Sequence, residues 1–223
     1  MRKIGAITIG QSPRVDIIPE LQALSGPDAE FLEMGALDGL SPAEVAEMRP
    51  QGNDEVLVTR MRDGSSVIIS DSAVIPRLQG CIEELQRAGV SAIALLCTGT
   101  FPVFQSRVPI LVPEHLLLNF VRGMKGPKPL KLGVLTPDEG QFRQQEARWR
   151  TVVEDVILRA ASPYDGVARV VEEGHRFSGD GVDAVVLDCM GYSGEMKDAL
   201  RQVLPCPVIL ARSVLGRFAA ELA

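Results

Sequence analysis

Cys97 and Cys189 are the residues of this chain best placed for chemistry. Cys97 closes the run Gly89-Val90-Ser91-Ala92-Ile93-Ala94-Leu95-Leu96, and Cys189 closes Gly181-Val182-Asp183-Ala184-Val185-Val186-Leu187-Asp188. Each run is short, apolar and largely aliphatic, the pattern of a strand buried on both faces. Each cysteine therefore falls at the carboxyl end of a strand, the edge where open parallel sheets bind ligands. A thiolate is the reactive form, and amides at the start of a following helix both lower a thiol pKa and hold an anion. Thr98, Gly99 and Thr100 after one cysteine, and Gly191, Tyr192 and Ser193 after the other, supply the small residues, hydroxyls and close backbone of a carboxylate cradle. Taken singly, either cysteine reads as a small buried hydrophobe. As a repeated pair they point to function. Cys81, inside a helical run, and Cys206, between Pro205 and Pro207, read as structural.

Other strand-to-helix turns are less specific. Thr8-Ile9-Gly10-Gln11-Ser12-Pro13-Arg14 joins a permissive Gly10, Gln11, a capping hydroxyl at Ser12 and, in Arg14, a cation able to pair bidentately with a carboxylate. A capped helix with a surface arginine explains it equally well. Thr136, Ser70-Asp71-Ser72 and Arg212-Ser213 follow strands too, and capping accounts for the first two of these turns. Asp188 should point away from Cys189 and orient its loop, because side chains alternate along a strand. No G-x-G-x-x-G or P-loop is present. Gly191-Tyr192-Ser193-Gly194-Glu195 misses the nucleophile-elbow pattern at its last residue, and no histidine follows it. His115 and His175 read as solvated or capping residues.

The elements that carry these turns alternate. Strands are expected over Lys3–Ile9, Ala29–Met34, Val90–Leu96, Leu130–Leu135, Val156–Ala160, Val182–Leu187 and Pro205–Leu210. Between them, Ser12-Pro13 is read as an N-cap with proline in the first turn. Ser41-Pro42-Ala43-Glu44 and Thr136-Pro137-Asp138-Glu139 are read as capping boxes. Two β-rich stretches flank Asp63-Gly64 as an antiparallel hairpin. A helix over Ile75–Ala88 ends at a C′ Gly89. Further helices are expected through Arg150, over Gly166–Phe177 and over Arg212–Leu222. Strands alternating with helices make an α/β protein with parallel sheets.

The plan runs twice. Lys3-Ile4-Gly5-Ala6-Ile7-Thr8 matches Lys131-Leu132-Gly133-Val134-Leu135-Thr136, and the two cysteine runs share Gly-Val-x-Ala at the start and Cys-x-Gly at the end. Gly123 to Pro129 is the most linker-like stretch, so two lobes are expected. Residues 1–122 would form one, with the hairpin as an insertion, and 123–223 the other, with its terminal helix free to pack back on the first.

Composition narrows the partners. With 223 residues, 46% of them hydrophobic, the chain can bury a substantial core. A formal charge of -6 gives no footprint for nucleic acid, no apolar run reaches spanning length, and no signal segment opens the chain. A cytoplasmic location, no membrane partner and no nucleic-acid partner are expected. Four cysteines without C-x-x-C spacing and only two histidines suggest neither a disulfide framework nor zinc. A homo-oligomer is compatible with the sequence.

The segment Thr8 to Arg14, the hairpin around Arg62-Asp63-Gly64, and Leu187-Asp188-Cys189-Met190-Gly191-Tyr192 together resemble the AroM family over essentially the whole chain. That family is similar to the aspartate/glutamate/hydantoin racemase superfamily, which implies two flavodoxin-like lobes facing each other across a cleft. By this resemblance Cys97 and Cys189 would be the acid and base of a cofactor-independent racemase, one thiol and one thiolate acting on opposite faces of a carbon. Decarboxylation and cis-trans isomerisation of small dicarboxylates are the related alternatives, and a non-catalytic binder of a small carboxylate or aromatic metabolite is another. The implied partner is a small carboxylate, and no cofactor is implied. Where amino-acid racemases of this type carry Asp-Ser and Asn-Thr, this chain has Gly10-Gln11-Ser12 and Thr98-Gly99.

Overall fold

The computed structural model describes residues 2–124, 126 and 128–223. In chain order it forms β1 (Arg2–Thr8), α1 (Ile18–Ser25), β2 (Ala29–Gly35), α2 (Pro42–Glu47), β3 (Val56–Arg60), β4 (Ser66–Ser70), α3 (Asp71–Arg87), β5 (Ala92–Leu95), β6 (Ile110–Leu111) and α4 (Pro113–Gly123). There follow β7 (Lys131–Thr136), α5 (Phe142–Trp149), β8 (Asp155–Ala160), α6 (Val167–His175), α7 (Phe177–Asp180), β9 (Ala184–Leu187), α8 (Gly194–Val203), β10 (Val208–Leu210) and α9 (Ala211–Ala220). Two compact units divide them, Met1–Glu114 with Leu215–Ala223, and His115–Val214. Lys125 and Pro127 of the linker-like stretch lie outside the described residues.

Each unit is built on a parallel sheet, ordered β2-β1-β5-β6 in the first and β10-β9-β7-β8 in the second. Reading the second from its other end makes the two orders equivalent, and the registers agree as well. Ile7 pairs with Leu95 as Leu135 pairs with Leu187, the residues the internal repeat sets in correspondence. Even the helix contacts recur. A side chain at Gly5 would meet Leu85 of α3 at 2.8 Å, and one at Gly133 would meet Phe177 of α7 at 2.9 Å. Glycine is required at both because a helix side chain sits directly on the strand backbone.

The first core joins Ile7 and Leu95 of the sheet to Val74, Leu78, Ile82 and Leu85 of α3, with Leu57 and Ile69 of the hairpin. The second joins Leu135, Val185 and Leu187 to Val170, Phe177, Met196 and Leu200. β3 and β4 form the expected antiparallel hairpin with Arg60 opposite Ser66, and Gly64 takes φ 91° in its turn. Ser70 caps α3 through the amide of Ser72, Ser41 and Glu44 form the capping box of α2, and Gly89 takes φ 80° just after α3.

Three local expectations are corrected. Ser12 does not cap a helix: its hydroxyl donates to Asp38, its bond to Pro13 is cis, and α1 begins at Ile18 with Pro19 in its first turn. Thr136 does not head a capping box, because its hydroxyl donates to Gln141 and Asp138 instead caps a short 3-10 turn over Glu139–Gln141. The helix expected over Gly166–Phe177 is two pieces, α6 and α7. In the first two cases a short polar side chain bonds to a partner other than the one its capping signal offered.

Candidate functional site

In the first sheet the strand order reverses between β1 and β5, so the loops after these strands flank a topological switch point, the usual ligand position in open α/β sheets. Cys97 lies two residues beyond the Ile7–Leu95 pair and is partly exposed. The backbone turns back at once, and the amide of Gly99 donates to Cys97 Sγ at 3.3 Å. Gly99 has no room for a side chain, since its Cβ would lie 2.7 Å from Leu57 of the hairpin. Thr98 is buried, and Thr100, which is exposed, donates its hydroxyl to Glu114 Oε1 at 2.7 Å.

The loop after β1 is held by protein partners. A Cβ on Gly10 would meet the Arg60 carbonyl at 2.3 Å. The Gln11 side chain accepts the Arg62 amide at 3.0 Å and donates to the Leu37 carbonyl. Asp38 accepts both the amide and the hydroxyl of Ser12, and Arg62 donates to the Ser12 carbonyl at 2.7 Å. Arg14 is 3% exposed, and its guanidinium forks onto Asp16 with two 2.9 Å bonds while donating to Thr8. The bidentate carboxylate partner that Arg14 suggested is thus the chain's own Asp16. Gly10, Gln11 and Ser12 are gathered under the hairpin, which touches the Cys97 loop through Leu57. Arg14 is turned into the interior.

The second unit repeats the cysteine geometry. Cys189 is partly exposed two residues past the Leu135–Leu187 pair, and the amide of Gly191 donates to its sulfur at 3.3 Å. Amides aimed at sulfur favour the thiolate over the thiol. No hairpin stands here; instead a Cβ on Gly191 would meet Pro163 at 2.7 Å and the Tyr164 hydroxyl at 3.0 Å. Asp188 points inward, as alternation requires, and accepts the indole N–H of Trp149 at 2.7 Å and the guanidinium of Arg148. Arg212 is 2% exposed and donates to the carbonyls of Met190 and Gly191. Tyr192 is fully buried with its hydroxyl on the Ala161 carbonyl, and burial pushes its pKa well above the usual phenol value. It is a core residue of the loop. Ser193 caps α8 by accepting the Met196 amide, and Thr136 is buried at the end of β7.

Cys81 and Cys206 are the remaining thiols. Burial pushes Cys81 up to about 11, with the Asp38 charge adding to it, and burial raises Cys206 as well. Both are held as thiols, which suits structural roles. His115 and His175 are exposed. Sequence reasoning passed over Asp38, Arg62, Glu114, Arg148 and Trp149, which position the two cysteine loops or their neighbours. Only Asp38, before a turn glycine, and Arg62, in the hairpin turn, stood near a recognisable local signal. Among the described residues no helix is long and apolar enough to cross a membrane.

The fold has counterparts in solved structures. Picrophilus torridus aspartate racemase is similar with a TM-score of 0.64 at 13% identity, covering 99% of this chain and 94% of that one. Allantoin racemase from Klebsiella pneumoniae gives 0.63 at 14% identity, over 100% and 87%. Unliganded arylmalonate decarboxylase gives 0.62 at 15%, over 100% and 92%. At such identities the likeness establishes the racemase fold. No curated protein sequence matches. The model of the family described as AroM protein matches residues 4–223, and this chain belongs to that family.

Proposed function

We propose that this protein is a cofactor-independent racemase, isomerase or decarboxylase of small carboxylates, with Cys97 and Cys189 as its reacting thiols. The observation that carries the reading is the duplicated nest: in each unit a strand-end sulfur receives the amide two residues on at 3.3 Å, beside the first strand of its sheet. Two such sulfurs supply what inversion of a carbon needs, a thiolate to remove a proton and a thiol to return one. Decarboxylation uses half of that set, a thiol that protonates the carbanion left when carbon dioxide departs. Thr98, Gly99, Thr100, Gly191 and Ser193 are the groups nearest each sulfur along the chain for holding a carboxylate, and Gly10 to Ser12 shape the neighbouring loop. The structures resembling this fold carry racemase and decarboxylase names, which fits the same reading.

The test is solvent deuterium exchange and product formation, followed by NMR in D2O over a panel of α-amino, α-ureido and arylmalonic acids. Wild type should exchange or decarboxylate one class. For racemisation Cys97→Ser and Cys189→Ser should each lose roughly 10²-fold or more, the range of a positioned acid or base, and for decarboxylation one of them should. Full turnover in both variants would overturn the reading. Tight binding without turnover in wild type would make the protein a binder.

A further inference from the structure

Glu114 is 5% exposed and stands in the first turn of α4. Its Oε1 accepts the Thr100 hydroxyl at 2.7 Å, whereas its equally shielded Oε2 has no hydrogen-bond partner among the described residues. A glutamate at a helix start suits the helix dipole, but an exposed side chain would serve that purpose. Desolvating a carboxylate oxygen without giving it a donor is unfavourable, and buried polar atoms left in that state mark functional positions.

The Thr100 bond brings this carboxylate to the loop that begins at Cys97. Ala94 pairs with Leu111, and Cys97 and Glu114 each lie three residues farther along the chain; Leu187 pairs with Leu210, and Cys189 and Arg212 each lie two residues farther along. The equivalent position thus carries a buried ionisable side chain in both units, bound to the loop of its own cysteine. Their charges are opposite. Meanwhile the stretch Gly10-Gln11-Ser12 after β1 contains no acidic residue, and Asp16 farther along that loop is engaged by Arg14.

We propose that Glu114 Oε2 accepts a hydrogen bond from an N–H group of the substrate, so that the small acid handled at Cys97 carries an ammonium or amide nitrogen there rather than a second carboxylate. This rests on Cys97 being a reacting thiol. Two carboxylates brought together with little solvent between them repel strongly, whereas an N–H donor satisfies the orphan oxygen.

Site-resolved thiol modification of the intact protein tests the proposal, with mass spectrometry reading Cys97 and Cys189 in the same sample. The probes are 2-aminoethyl methanethiosulfonate, which carries an ammonium next to the sulfur it modifies, and its 2-sulfonatoethyl counterpart, with neutral iodoacetamide as reference. The rate ratio of cationic to anionic reagent at Cys97 should exceed that at Cys189 by about tenfold or more. Glu114→Gln keeps the acceptor for Thr100 and should bring the two ratios within about twofold. Thr100→Val keeps the carboxylate and should preserve the preference, so the wild-type and Thr100→Val comparison decides the matter even if Glu114→Gln fails to fold. Equal ratios at the two cysteines, or a preference that survives Glu114→Gln, would overturn the role of Glu114 while leaving a reactive Cys97 intact. A Cys97 inert to iodoacetamide would overturn the thiol reading and, with it, this one.

Discussion

Arg212 grips the carbonyl oxygen of Met190 with two nitrogens, Nε at 3.2 Å and Nη2 at 2.8 Å, and so fixes the residue next to Cys189 from a helix position 22 residues later in the chain. Arg212→Lys should lower stability by about 1.5–3 kcal/mol, since an ammonium lacks the planar fork and a charged hydrogen bond in the interior is worth that much. A urea titration should show a lower midpoint at unchanged slope. The Cys189 alkylation rate should change while that of Cys97 stays within twofold. Unchanged rates at both would remove the positioning role.

Asp188 is buried between Trp149 and Arg148, and breaking a buried pair by neutralising one partner typically costs 3–5 kcal/mol. Asp188→Asn should therefore destabilise by about that amount. Trp149 is the sole tryptophan, so its fluorescence reports the change directly. An unshifted emission maximum with native stability would show that the contact is dispensable.

Gly10→Ala should cost about 1–3 kcal/mol, because the added methyl meets the Arg60 backbone and the chain must move. Gly80→Ala is the control. It lies within α3 with nothing near its Cβ, and replacement should raise stability by about 0.5–1 kcal/mol. Thermal melts of the two variants should shift in opposite directions.

The Cys81 thiol is raised to about 11 from an ordinary 9.0. Above pH 9 the unfolded chain gives up this proton while the folded chain keeps it, so the stability contribution is complete below pH 9 and is lost as pH rises through 11. Cys81→Ala should flatten that alkaline slope. Iodoacetamide at pH 8 should modify Cys97 and Cys189 well before Cys81. Equal rates for all three would contradict the protected environment.

The sheets were legible, apart from the two-residue edge strand β6 at Ile110–Leu111, because strands buried on both faces leave a continuous apolar signature, and the repeat Lys3–Thr8 against Lys131–Thr136 set their correspondence. The cysteine positions followed from the same strands. The supporting residues were less visible. Glu114, Arg148 and Arg212 act on loops far along the chain, and no periodicity encodes such a contact. Ser12 and Thr136 each carried a local capping signal that a nearer tertiary partner, Asp38 or Gln141, outcompeted. Arg14 read equally as a carboxylate-pairing cation and as a surface arginine, because chain order does not reveal that Thr8 and Asp16 enclose it.

The β3–β4 hairpin touches Gly10 through Arg60 and Gly99 through Leu57, and among the described residues the second unit has no counterpart to it. One half of a duplicated plan is therefore tied to its own hairpin at two points. Descendants of the duplication should tolerate altered length between β8 and β9 more readily than between β1 and β5.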